Sequence, residues 1–106
     1  MGDSQLEKSN PYHKLAKYLD TLPAGYPTTT SGVEIELLKK LFTEREAVLA
    51  VHLRLLNERI EVIARRAGWS QEETESTLDQ MAHKGLIAAG IGLDGSPQYA
   101  VSQFVI

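Results

Sequence analysis

The stretch Ile60-Glu-Val-Ile-Ala-Arg-Arg-Ala-Gly-Trp-Ser-Gln-Glu-Glu-Thr-Glu-Ser-Thr-Leu-Asp-Gln-Met-Ala-His-Lys-Gly-Leu-Ile87 holds two helical patterns separated by a glycine. Ile60, Ile63, Ala64 and Ala67 fall on one side of a short helix. Gly68 then supplies a residue able to take the left-handed turn that ends a helix, and Trp69 follows as an anchor. Ser70-Gln-Glu-Glu73 matches a capping box, which opens the next helix. That helix sets Thr74, Leu78, Met81 and Ala82 on one face and Gln71, Glu72, Glu75, Ser76, Asp79 and His83 on the other. Two short helices across a tight glycine turn predict a helix-turn-helix over about 58–84. Beyond Gly85 the period changes. Leu86-Ile-Ala-Ala-Gly-Ile91 and Gln98-Tyr-Ala-Val-Ser102 read as strands around the turn formers Gly92-Leu-Asp-Gly-Ser-Pro97, a hairpin over about 86–103.

Toward the N-terminus the chain marks further helix starts. Asn10-Pro11 pairs a capping side chain with a proline at the first helical position. Ser31-Gly-Val-Glu34 and Thr43-Glu-Arg-Glu46 repeat the capping box, and Asn57 offers another cap. Helices are expected near 10–22, 32–42, 44–56, 58–67 and 71–84, with Pro23–Ser31 a loop and residues 1–9 a mobile tail. Residues 10–106 then form a single, mainly helical domain with extra N-terminal helices and a small C-terminal hairpin. The apolar run Ala47–Leu56 predicts a central buried helix or, on one side, a homodimer contact. The apolar terminus Phe104-Val-Ile106 reads as a third strand or as a cut from a longer protein, the second being preferred.

A helix-turn-helix followed directly by a hairpin is the order of a winged helix. Ile60–Ser102 resembles the winged helix-turn-helix superfamily of prokaryotic regulators, with Leu78-Asp-Gln-Met-Ala-His-Lys-Gly-Leu-Ile87 as the join between recognition helix and wing. Over nearly the whole chain, Tyr12-His-Lys-Leu-Ala-Lys-Tyr-Leu-Asp-Thr-Leu-Pro-Ala-Gly-Tyr-Pro27, Ser31-Gly-Val-Glu34 and Leu38-Lys-Lys-Leu-Phe-Thr43 are similar to an N-terminal domain of anaerobe ferredoxin-type proteins. That resemblance implies an electron-transfer context and a four-iron–four-sulfur cluster in a downstream segment. The 106 residues contain no cysteine, so no such cluster is expected within them.

Composition narrows the function. Eleven Lys and Arg stand against 14 Asp and Glu, a net charge of −3. This balance gives no general attraction to nucleic acid or an anionic membrane. With no 20-residue apolar run and no apolar signal core, the expectation is a cytoplasmic protein. The proposed recognition helix carries Glu72, Glu73, Glu75 and Asp79 against Lys84, and no Lys or Arg occurs from Leu86 to Ile106. A DNA-reading helix and wing need cations near phosphates. Arg65, Arg66 and Lys84 are the candidates for that role if DNA is bound. The charge pattern instead predicts a protein partner or an adjacent domain, with a DNA-binding regulator as the alternative.

Catalytic and metal chemistry lack a motif. His13, His52 and His83 have no ligand spacing, and the hydroxyl run Thr28-Thr-Thr-Ser31 has no base beside it. Gly90-Ile-Gly92-Leu-Asp-Gly95 matches the spacing of a phosphate loop, but a strand follows where a helix must open. Trp69, Tyr99 and Phe104 read as core aromatics. No enzyme, no metal site and no resident cofactor are expected in this segment.

Overall fold

The computed structural model describes residues 10–23, 25–26 and 32–102. The tail expected at 1–9, the hydroxyl run 28–31 with the Ser31 cap, and the terminus 104–106 lie outside the described residues. The described chain is mainly helical, with one small three-stranded antiparallel sheet. The elements are α1 (Pro11–Asp20), α2 (Val33–Leu41), α3 (Glu44–Ala50), β1 (Glu58–Arg59), α4 (Ile60–Ala67), α5 (Gln71–His83), β2 (Ile87–Ile91) and β3 (Pro97–Val101).

Local chemistry accounts for most boundaries. The Asn10 side chain accepts from the Tyr12 amide at 2.8 Å, and Pro11 costs no backbone donor where it stands. α2 begins after Gly32, whose φ of +74° suits glycine. Its first turn holds Glu34 and Glu36 and its last Lys39 and Lys40, which complements the helix dipole. Thr43 and Glu46 form a reciprocal capping box at α3. At α5 only half of the expected box is made. Ser70 accepts from the Glu73 amide at 3.2 Å, while the Glu73 carboxylate turns to the Ser70 hydroxyl and to Arg45. α4 ends in a Schellman motif: Gly68, at φ +76°, donates toward Arg65, and the Trp69 amide reaches the Ala64 carbonyl at 3.0 Å.

Two expectations are corrected. The helix predicted over 44–56 stops at Ala50, because the carbonyls beyond it are taken by distant donors. His52 O accepts from Arg66, Leu53 O from the Tyr18 hydroxyl, and Arg54 O from the Val101 amide at 2.8 Å. Asn57 therefore caps nothing, and the helix predicted over 58–67 begins at Ile60 after a short strand. That strand, Glu58–Arg59, is the third member of the sheet, a place the sequence reading considered for Phe104–Ile106. The strand order is β1-β3-β2, with Glu58 opposite Tyr99 and Ala89 opposite Tyr99 on the other side.

One hydrophobic cluster joins the five helices with β2 and β3. Leu15, Leu38, Leu49, Leu53, Ile63, Leu78 and Met81 are fully buried within it. α1 packs on α2 and α3, α3 on α5, α4 on α5, and α5 on β2. Of the apolar run 47–56, Ala47, Leu49, Ala50 and Leu53 are buried, whereas Leu56 is 80% exposed. Burial of the first part agrees with the central position predicted for it.

A Cβ at Gly68 would meet no atom within 4 Å, so substitution there isolates backbone strain from packing. Gly68→Ala is expected to cost about 1–2 kcal/mol. For a domain of this size that lowers Tm by roughly 4–15 °C in a thermal unfolding scan. Gly68→Asn should lose less, because asparagine tolerates the left-handed region.

Candidate interaction face of helix α5

α5 is held by its inner side. Thr74, Thr77, Leu78 and Met81 are buried, and the Thr74 hydroxyl donates to Ser70 O at 2.8 Å. Of the residues that the helical period assigns to this side, Thr74, Leu78 and Met81 are buried and Ala82 is half-buried; Thr77, whose polarity hides its place in the stripe, is buried as well. The opposite side turns Gln71, Glu72, Glu75, Ser76, Asp79 and His83 to the surface, so all six predicted face residues are exposed. They are not equally available. Asp79 Oδ1 accepts the Tyr99 hydroxyl at 2.7 Å, which fastens β3 to α5. Tyr99 is buried, and burial, the Asp79 hydrogen bond and the negative charges of Asp79 and Glu75 push its hydroxyl up to about 12.

The cations beside this face are largely committed elsewhere. Arg66 forms a bidentate pair with Glu58, at 2.8 and 2.7 Å, and also donates to His52 O. The Arg66 hydrogen bond holds the Glu58 carboxyl below its ordinary value near 4.5, despite partial burial. Lys84 Nζ lies 2.6 Å from Glu46 Oε1. Glu46 is 1% exposed and serves both Lys84 and the Thr43 amide through Oε1, while Oε2 is buried with no hydrogen-bond partner. Arg45 pairs with Glu73 and stacks over the Trp69 ring, 4.5 Å from its centroid. Arg65 is exposed and makes no ion pair among the described residues.

The hairpin tip turns through Gly95, at φ +83°, and Asp94 Oδ1 accepts from the Ser96 amide and hydroxyl. Asp94 also pairs with Arg59, a cation that no reading of residues 86–106 alone could bring there. The pairing depends on β1 lying beside β3, and no local signal at a two-residue strand announces it. The glycine run at 90–95 is hairpin, as expected from the absence of a following helix.

His13, His52 and His83 lie on three separate segments. No group of three or more His, Asp and Glu suited to a metal occurs among the described residues. Among them, too, no helix is long and apolar enough to cross a membrane. Compared with known families, curated proteins and solved structures, the chain finds no match.

Two stability measurements follow. Removing Lys84 leaves a buried carboxylate with one amide partner, so Lys84→Met is expected to cost about 1–3 kcal/mol after allowance for the partly exposed lysine. The double variant with Glu46→Gln should recover part of that loss in a urea double-mutant cycle. Glu58 and His52 both have lowered pKa values when folded, Glu58 mainly through Arg66 and His52 mainly through burial. Stability from each is present above its unfolded value and is lost as pH falls through the folded one. Urea midpoints should therefore decline as pH falls below about 6.5 and again below about 4.5. Glu58→Gln should flatten the more acidic part.

Proposed function

We propose that this chain is a non-catalytic winged helix-turn-helix module for protein interaction or regulation, which meets a basic protein surface or adjacent domain through α5. We further propose that it forms the N-terminal part of an iron–sulfur, ferredoxin-type electron-transfer protein, whose four-iron–four-sulfur cluster lies in a downstream segment. The winged-helix reading draws on the order α4, α5, β2, β3, with β1 completing the sheet beside β3. The electron-transfer context rests on the sequence resemblance of the N-terminal segments.

The observation that carries the interaction reading is the imbalance of charge around α5. Its outer face presents Glu72 and Glu75 to solvent, while Arg66 and Lys84 are drawn into intramolecular pairs. A polyanion approaching this face meets repulsion, whereas Lys and Arg side chains of a protein partner gain complementary charge. The alternative is a DNA-binding regulator, favoured by the helix-turn-helix and hairpin arrangement and by exposed Arg65. Fold alone does not decide between them.

The test is an NMR titration at low salt with a Lys- and Arg-rich peptide and, separately, a mixed-sequence DNA duplex. The peptide should shift the amides of Gln71, Glu72, Glu75 and Ser76, and added salt should weaken it. Glu72→Lys with Glu75→Lys should reduce that affinity by roughly tenfold or more. Asp79 is left unchanged because it anchors Tyr99. Duplex binding that falls steeply with salt and disappears in Arg65→Ala would replace this reading with the regulator.

A further inference from the structure

Between α3 and β1 the chain passes through residues 51–57 in turns and bends, with no helix or strand. Three elements hold this link by its carbonyls. Arg66 of α4 donates to His52 O, the Tyr18 hydroxyl of α1 to Leu53 O, and the Val101 amide of β3 to Arg54 O. Leu53 is fully buried, whereas Leu55 and Leu56 are exposed. A segment fixed by so few buried groups opens at lower cost than the core around it. The His52 side chain is half-buried at the start of the link, and its surroundings are cationic. The Arg66 guanidinium lies against the backbone of His52 itself, 2.5 Å from its carbonyl oxygen. Arg54 stands two residues further on and makes no ion pair among the described residues. β1 brings the acid Glu58, but both of its carboxylate oxygens are taken by Arg66. α1 brings the neutral Tyr18 hydroxyl, β3 the uncharged Val101, and residues 47–50 in the last turn of α3 bear no charge.

We propose that residues 51–57 are an acid-sensitive latch, which detaches together with β1 when His52 takes up a proton. The imidazolium adds a third positive charge beside Arg54 and Arg66 in a half-buried place, where Glu58 is already committed to Arg66. The same cost is visible from the neutral side: burial, then Arg66 and Arg54, hold the imidazole below its ordinary value near 6.5. Opening the link relieves it, because the imidazolium then gains water and distance from both guanidinium groups. The helices and the β2–β3 hairpin lose only Leu53 from their shared core. β1 follows the link, since its two residues continue from it directly and meet β3 through Glu58 and Arg59 alone. The outer edge of β3 is thereby laid bare, and the carbonyls of His52, Leu53 and Arg54 return to water. The latch is closed above the ordinary imidazole value and opens as pH falls toward the lower value of the folded state. Over that window each pH unit raises the open population by up to about tenfold. The device involves neither the outer face of α5 nor the function proposed for it.

Native-state hydrogen exchange followed by NMR on the full chain, from about pH 7.5 to about pH 5, tests it. Amides along β3 alternate in direction, so those of Tyr99 and Val101 face β1 and the link, while those of Gln98 and Ala100 face β2. After correction for intrinsic exchange, opening at Tyr99 and Val101 should rise by up to about tenfold per pH unit below about 6.5 and be insensitive to low urea. Ala100, and Leu78 and Met81 in the core of α5, should open more rarely and only with the urea-sensitive unfolding of the whole domain. NMR titration of the His52 ring in the same sample should place its protonation where the opening at Val101 begins. His52→Gln should abolish the pH dependence at Tyr99 and Val101, whereas His13→Gln with His83→Gln should keep it. The proposal is overturned if Tyr99 and Val101 open no more often than Ala100, or with the same urea dependence. It is equally overturned if their opening ignores pH, or if His52→Gln leaves the change intact. Should His52→Gln fail to fold, the unmodified chain decides: opening at Val101 that does not track the titration of the His52 ring sinks the latch.

Discussion

After α3 ends at Ala50, the carbonyls of His52, Leu53 and Arg54 need donors, and the chain provides them from three distant places. Arg66 comes from α4, the Tyr18 hydroxyl from α1, and the Val101 amide from β3. Buried or half-buried carbonyls left unpaired would cost about 1–3 kcal/mol each. This seven-residue link therefore ties the N-terminal helices, the helix pair and the sheet together. Leu53, fully buried in the middle of the link, adds an apolar anchor. Because the link leaves the helix through turns and bends, it delivers Glu58 and Arg59 to the edge of β3, where a continued helix would have carried them away.

The charge pairs are arranged around the same framework. Arg66 joins β1 to α4 through Glu58 while holding the His52 carbonyl. Lys84, at the end of α5, reaches the buried Glu46 at the start of α3. Two of the cations nearest α5 thus hold elements together, and the exposed acids on its outer face are left without their compensation. The acidic character of this face is as much a consequence of where Arg66 and Lys84 point as of how many acids the helix contains. Arg45, stacked on Trp69 and paired with Glu73, gives the first turn of α5 a neutralising contact of its own.

The sheet shows how pairing and exposure separate within three strands. β3 lies between two neighbours, with Tyr99, Ala100 and Val101 buried. β1 is brief and bears charges; β2 is longer, uncharged and open on one side. Tyr99 links this sheet to α5 by giving its hydroxyl to Asp79. A residue on the outer face of the helix therefore also supports the sheet, which limits how freely that face can change.

The sequence by itself determined the elements that local chemistry specifies. Asn10-Pro11, the Thr43–Glu46 box, the Gly68 turn and the Ser70 cap each satisfy or free nearby backbone groups, so their effect is contained within a few residues. The change of period after Gly85 and the turn formers at 92–97 likewise specified a hairpin. Tertiary structure decided what depends on remote partners. Ala47–Leu56 is apolar apart from His52 and Arg54 and compatible with a helix over its full length; only the donors from Tyr18, Arg66 and Val101 end it at Ala50. β1 carries no strand pattern in its two residues and exists because β3 lies beside it. The six face residues were readable from helical period, but the commitment of Asp79 to Tyr99, of Lys84 to Glu46 and of Arg66 to Glu58 was not. Those pairs span 8 to 38 positions in sequence, and only packing brings their atoms within hydrogen-bonding distance.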